Sequence, residues 1–244
     1  GNTVEPATLI SQYGADTVRL FTMFAAPPNQ SLEWSDSGVE GSSRFLRKLW
    51  RTIQAHTPAA ETELHSLQLS AAQKQLRHKT HTTLQKVTDD LGRRQTFNTA
   101  IAAVMELVNA VTRFQDEQDL NSNSKSAQLN LAVVHEAFEI VLLALSPIVP
   151  HFCHALWQHL GHTKAIVDQV WPIVDATALV QDEVQIVIQV NGKLRGKLDV
   201  PRDIDKAALE ALALNDHNVQ KHTEGLTVRK IIVVPNKLIN IVVG

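Results

Sequence analysis

Around residues 175–182 the side-chain pattern changes period, and no single regular architecture accommodates both halves of the chain. Before that point apolar residues recur every three to four positions, the spacing of one helix face. After it they recur every second position, the spacing of one strand face. Val184, Ile186, Ile188 and Val190 alternate with Gln185, Val187 and Gln189. Beyond Asn191-Gly192, Leu194, Gly196, Leu198 and Val200 alternate with Lys193, Arg195, Lys197 and Asp199. The Asn-Gly pair marks a hairpin turn. A two-residue turn would set Ile186 and Ile188 beside Lys197 and Arg195. A three-residue turn, with Gly192 left-handed, pairs Ile188 with Leu194 and Val184 with Leu198. The second register keeps one face dry and is the one expected. The chain is therefore predicted to be mainly α, a helical bundle followed by a small α+β domain of order ββααββ.

Helical segments are expected over about 8–25, ended by Pro27-Pro28 because proline lacks the amide donor, and from Ser35 or Asp36 to about His56. The second carries Phe45, Leu46, Leu49, Trp50 and Ile53 on its apolar face. A third opens at Ser70 with Gln73 completing a capping box and runs to about Gly92. Others cover about 96–114, 127–145 and 150–160, the last closed by Gly161. Residues 115–126 are polar and aperiodic, a loop with a disordered tip. In the tail, helices at 203–213 and 216–223 precede strands at 227–234 and 238–243.

With 23 Lys and Arg against 25 Asp and Glu, the formal charge is -2, so no global field draws the chain to nucleic acid. RNA contact requires local patches, and three are visible. Arg44, Lys48 and Arg51 lie at i, i+4 and i+7 with Arg47 adjacent. Lys74 and Arg77, with His78 and Lys79, open the third helix. Lys193, Arg195 and Lys197 share one solvent-facing side of the hairpin, and Arg229, Lys230 and Lys237 are expected to extend it. Such rows suit an RNA backbone; solvated surface charge is the plainer reading of each. Two basic runs on neighbouring helices suggest a shared groove.

No catalytic residue or metal site is expected. His159-Leu160-Gly161-His162 mimics the HIGH signature of class I synthetases, but it closes a helix where that motif should open one. His151, Cys153, His154 and His159 lack paired ligand spacing and read as packing and surface residues. Asp89-Asp90 beside Arg93-Arg94 reads as a helix-end ion-pair network. The single cysteine, Cys153, excludes an internal disulfide and suits a reducing cytoplasm. The apolar run 129–145 carries His135, Glu136 and Glu139 and reads as a buried bundle helix, not a membrane span.

Several segments resemble bacterial leucyl-tRNA synthetase. They are Tyr13 to Phe21, Leu32-Glu33-Trp34-Ser35-Asp36 with Gly38-Val39-Glu40-Gly41, Val87 to Ala103, and Leu145 to His151. Leu156-Trp157-Gln158, Trp171-Pro172, Val190 to Lys193, and Val228 to Pro235 with Leu238 complete the set. The opening Gly1-Asn2-Thr3 is similar to the residues following that family's KMSKS loop, so a fragment is expected. The resemblance implies that residues 1–40 connect a catalytic core to an anticodon-binding-type bundle over 41–175. A linker at 176–182 and a tRNA-binding domain over 183–244 follow. It implies a parent ligase that joins leucine to tRNA(Leu) using ATP and Mg, with the rest of that chain as partner, and no DNA or membrane. The fragment itself would hold no cofactor. A free-standing RNA-binding or protein-interaction module is the alternative. Leu32 and Trp34 read as packing and capping-region residues at the boundary.

Overall fold

The computed structural model describes residues 5–27, 30–31, 34–58, 64, 68–180, 183–202 and 204–244. Leu32 and Gly1 to Thr3 therefore lie outside the described residues. The chain divides into two compact units, Gly1–Leu179 and Val180–Gly244.

The first unit is helical. The stretch expected as one helix over 8–25 is two, α1 (Pro6–Tyr13) and α2 (Ala15–Ala25). Gly14 separates them at φ +83°, a conformation that only glycine adopts readily. Next comes α3 (Asp36–Gln54), whose start is capped by the Ser35 hydroxyl accepting from the Gly38 amide. Trp34 packs edge-on to Phe21, ring centroids 5.1 Å apart, and donates its Nε1–H to Asp36 at 2.7 Å. Trp34 therefore packs against α2 and bonds to the first residue of α3, as a packing residue beside the cap. Gly38 matters because α2 and α3 meet there: a Cβ would lie 2.6 Å from Phe21 Cε2. Phe21 is buried and wedged by Trp34, so Gly38→Ala is expected to lower stability by about 1–3 kcal/mol, measured by urea unfolding.

The capping box at Ser70 and Gln73 is present and opens α4 (Ala71–Asp89). Gly92 does not end this helix. A π-helical turn, Asp90–Arg94, follows and stops at Gln95, which is left-handed. The wider turn carries the fully buried Asp90 carboxylate to Lys86 at 2.6 Å, Thr99 at 2.6 Å and Arg94 at 3.1 Å. That joins α4 to the start of α5 (Phe97–Glu117).

The polar connection is shorter than 115–126, because α5 continues through Glu117 and α6 (Lys125–Leu145) begins early, with Ser124 capping Ala127. It is also pinned: Asp119 accepts the Asn121 and Ser122 amides, and Asn130 donates to the Asp119 carbonyl at 2.8 Å. By length and composition α6 could cross a membrane, yet most of it is buried against its neighbours. Phe138, Val141, Leu142 and Leu145 are fully enclosed. Each such side chain contributes about 1.5–3 kcal/mol. The helix α7 (Pro150–His159) closes the bundle.

In the second unit, β1 (Glu183–Val190), β2 (Lys193–Pro201), α8 (Lys206–Asn215), α9 (His217–Thr223), β3 (Val228–Val234) and β4 (Leu238–Val243) follow in order. The sheet order is β2-β1-β4-β3, with β1 and β4 parallel at its centre. Leu209, Ala213 and Val219 pack with Ile186, Ile188, Ile239 and Ile241, so the two helices cover one sheet face.

The hairpin register differs from expectation. The turn has two residues, Asn191 and Gly192, both at positive φ, and Val190 pairs with Lys193. The extra residue lies inside β2, where the register shifts between Gln189–Leu194 and Ile188–Gly196. Ile186 then pairs with Leu198 and Val184 with Val200. One face stays apolar as the expectation required, but a bulge in the strand restores the phase. Leu194 is consequently 57% exposed, not a core residue.

Candidate nucleic-acid interface

A row of exposed cationic side chains lies on α3. Arg44, Arg47 and Arg51 are exposed and make no ion pair among the described residues, while Lys48 donates to Asn109 on α5 at 2.9 Å. The amphipathic spacing that buries Val39, Leu46, Leu49 and Ile53 forces these long side chains outward. Beside them lies an open groove of about 450 Å³ lined by Tyr13, Asp16, Arg47, Trp50 and Phe152, among others. Trp50 was expected on the apolar face, but it is 38% exposed and its ring lies 5.7 Å from that of Phe152. The partly exposed ring lies three residues from Arg47, a placement the apolar-stripe reading concealed. The adjacency of Trp50 to Arg51 was the available signal.

The second basic run does not form a cationic face. Arg77 is 5% exposed and spent on a bidentate bond to Glu136, both contacts 2.8 Å, and another to Asp175 at 2.8 Å. Lys79 pairs with Glu106 at 2.9 Å and His78 contacts the Ala178 carbonyl. Of this run, Lys74 is exposed. α3 packs chiefly on α2, α5 and α7, and α4 on α5 and α6, so both helices border α5, where Lys48 reaches Asn109 and Lys79 reaches Glu106. Arg77 is a structural residue.

Its surroundings explain why. The stretch after α7 runs back along α4, with Trp171 donating to Thr88 and the Asp175 amide donating to His81 Nδ1. Accepting there leaves His81 Nε2 as the donor to Glu136, at 3.1 Å. Burial alone would raise the Glu136 carboxyl, but Arg77 and His81 outweigh it and hold it below its usual range. Asp175 is likewise depressed: desolvation is overcome by the Thr177 hydroxyl and Arg77.

On the sheet the basic residues separate. Arg229 and Lys230 lie on β3, the edge opposite β2, so they do not extend the hairpin row. Three strand spacings put the edges about 14 Å apart. The bulge also breaks the row itself. Lys197 pairs with Val187 on the helix-free face, Lys193 pairs with the core-facing Val190, and Arg195 is half-buried. Lys237 is exposed in the β3–β4 turn. The helix-free face thus carries Lys197 with Asp199 at one edge and Lys230 at the other, with Gln185, Gln189, Asn240 and aliphatic residues between. The segment 183–244 has no Phe, Tyr or Trp, so this surface suits backbone contact and not ring stacking on bases.

The remaining polar motifs make local structural contacts. Arg93 and Arg94 pair at i, i+4 with Asp89 and Asp90. The His159 to His162 segment is a helix stop: the His162 amide donates to the Trp157 carbonyl and the Gly161 amide to that of Gln158, with Gly161 at φ +101°. His151 is exposed and Cys153 fully buried, its thiol pushed well above its ordinary value by burial and by Asp16. Those residues do not converge.

Residues 73–211 match the family model described as the anticodon-binding domain of tRNA ligase. The chain belongs to this family. It is 57% identical over 243 residues to a leucine–tRNA ligase of Alcanivorax borkumensis and 58% identical over 243 residues to that of Saccharophagus degradans. Each alignment covers 99% of this chain and 29% of the relative, so the chain spans under a third of their length. Among solved structures, LeuRS of Agrobacterium radiobacter K84, in a ternary complex with tRNA and LeuAMS, superposes over 100% of this chain and 31% of its own. The TM-score is 0.76 at 23% identity. A Mycobacterium tuberculosis methionyl-tRNA synthetase with methionyl-adenylate covers 67% of this chain and 35% of its own, TM-score 0.56 at 20% identity. At these identities the superpositions establish the fold.

Proposed function

We propose that this anticodon-binding chain is the tRNA-binding C-terminal portion of a leucine–tRNA ligase. It grips tRNA(Leu) while the remainder of the ligase, holding ATP and Mg, attaches leucine in the cytoplasm. Alignment of 99% of this chain with leucine–tRNA ligases carries the reading. The exposed arginines of α3 beside Trp50, without ion-pair partners among the described residues, supply a physical means of binding. In this reading residues 1–40 connect to the catalytic core, 41–175 form the helical tRNA-binding body, 176–182 link, and 183–244 add a second contact. In this reading the chain acts by positioning tRNA, and the chemistry belongs to the remainder of the ligase.

Two measurements test this. Binding of tRNA(Leu) by the chain should weaken steeply with salt, since each phosphate contact adds about 0.7–0.9 to the log–log slope. Leucine-dependent ATP–pyrophosphate exchange should stay at the buffer background. Salt-insensitive or absent tRNA binding overturns the RNA role, and measurable exchange by pure protein overturns the division of labour.

A further inference from the structure

Away from the cationic surface, three donor groups converge on one side of α6. His135 and Glu139 are one helical turn apart, with His135 Nε2 3.6 Å from Glu139 Oε1. The helix stop after α7 turns His162 back so that its Nε2 lies 2.6 Å from the same oxygen. One ligand atom from each of the three lies within 4.8 Å of the others. The His162 nitrogen is buried, and its approach to Glu139 lacks the alignment of a hydrogen bond.

We propose that His135, Glu139 and His162 bind a divalent first-row metal ion, with Zn2+ the best match and water completing the coordination. Two imidazoles and one carboxylate with a fourth position open are a recognised zinc donor set. Metal–ligand bonds of about 2.0–2.2 Å require the His162–Glu139 contact to open by under an ångström. Supporting groups hold the rings in place. The His162 ring stacks on Trp157, centroids 3.6 Å apart and planes within 8°. His56 Nε2 lies 3.3 Å from His135 Nδ1, which orients the Nε2 lone pair of His135 toward the site. Glu139 and His162 keep about a third of their surface, leaving an entry path. The ion would fasten α6 to the turn after α7.

Titration of the untagged chain with Co2+, followed by Zn2+ competition, tests the site. The expected result is one equivalent bound, with visible absorption of a low-coordinate Co2+ that Zn2+ displaces. His162→Ala should remove binding. Glu139→Gln, which keeps side-chain shape, should weaken it while circular dichroism stays unchanged. His56→Phe should cost about 10–100-fold in affinity. Failure to bind one equivalent of either ion, or affinity in His162→Ala and Glu139→Gln equal to that of the parent chain, overturns the proposal.

Discussion

Arg77→Met should destabilise the helical unit by about 3–5 kcal/mol near neutral pH, the usual consequence of removing one partner from a buried ion pair. The guanidinium holds Glu136 on α6 and Asp175 on the returning strand of chain at once. Methionine fills comparable space, so the loss is electrostatic: Glu136, largely shielded from solvent, keeps His81 as its remaining hydrogen-bond donor from this network. Urea unfolding followed by helical circular dichroism measures it. The pH dependence has a fixed sign. Both carboxyls are depressed in the native state, so their stabilisation is present above the ordinary carboxyl range of about 4 and is lost as pH falls through their lower native values. In the variant the Glu136 carboxyl rises, and the gap from the parent should narrow on acidification. A gap independent of pH between 7 and 3 would show that the cost is packing, not charge.

Replacing Arg44, Arg47 and Arg51 together with glutamine should lower tRNA(Leu) affinity by about 10–100-fold at low salt and reduce the log–log salt slope by about 2–3. These side chains are exposed without ion-pair partners among the described residues, so stability should move by no more than about 0.5 kcal/mol. Trp50→Ala should weaken binding without changing the slope, because stacking releases no counterions. The double variants Lys193/Lys197→Ala and Arg229/Lys230→Ala report separately on the two sheet edges. An unchanged slope in the arginine triple variant removes α3 from the interface.

Much of the architecture was legible because its determinants are local. Ser35, Ser70 with Gln73, and Gly161 announce helix ends through bonds spanning a few residues. Strand order, by contrast, depends on which distant segments pair. Arg229 and Lys230 could not be assigned to the far edge until β4 was seen to pair with β1. Trp50 read as core because helical spacing cannot distinguish a buried flank from a groove wall.

The chain's change of period determined its two-part character, and its arginine spacing determined the exposed row on α3. Those follow from backbone geometry acting over one or two turns. Tertiary structure decided the fate of individual charges. Arg44 and Arg77 look equivalent in the sequence, yet one meets solvent and the other meets two carboxylates from elements 59 and 98 positions away. Charge is a property of the residue; whether it is neutralised depends on long-range packing that spacing does not encode.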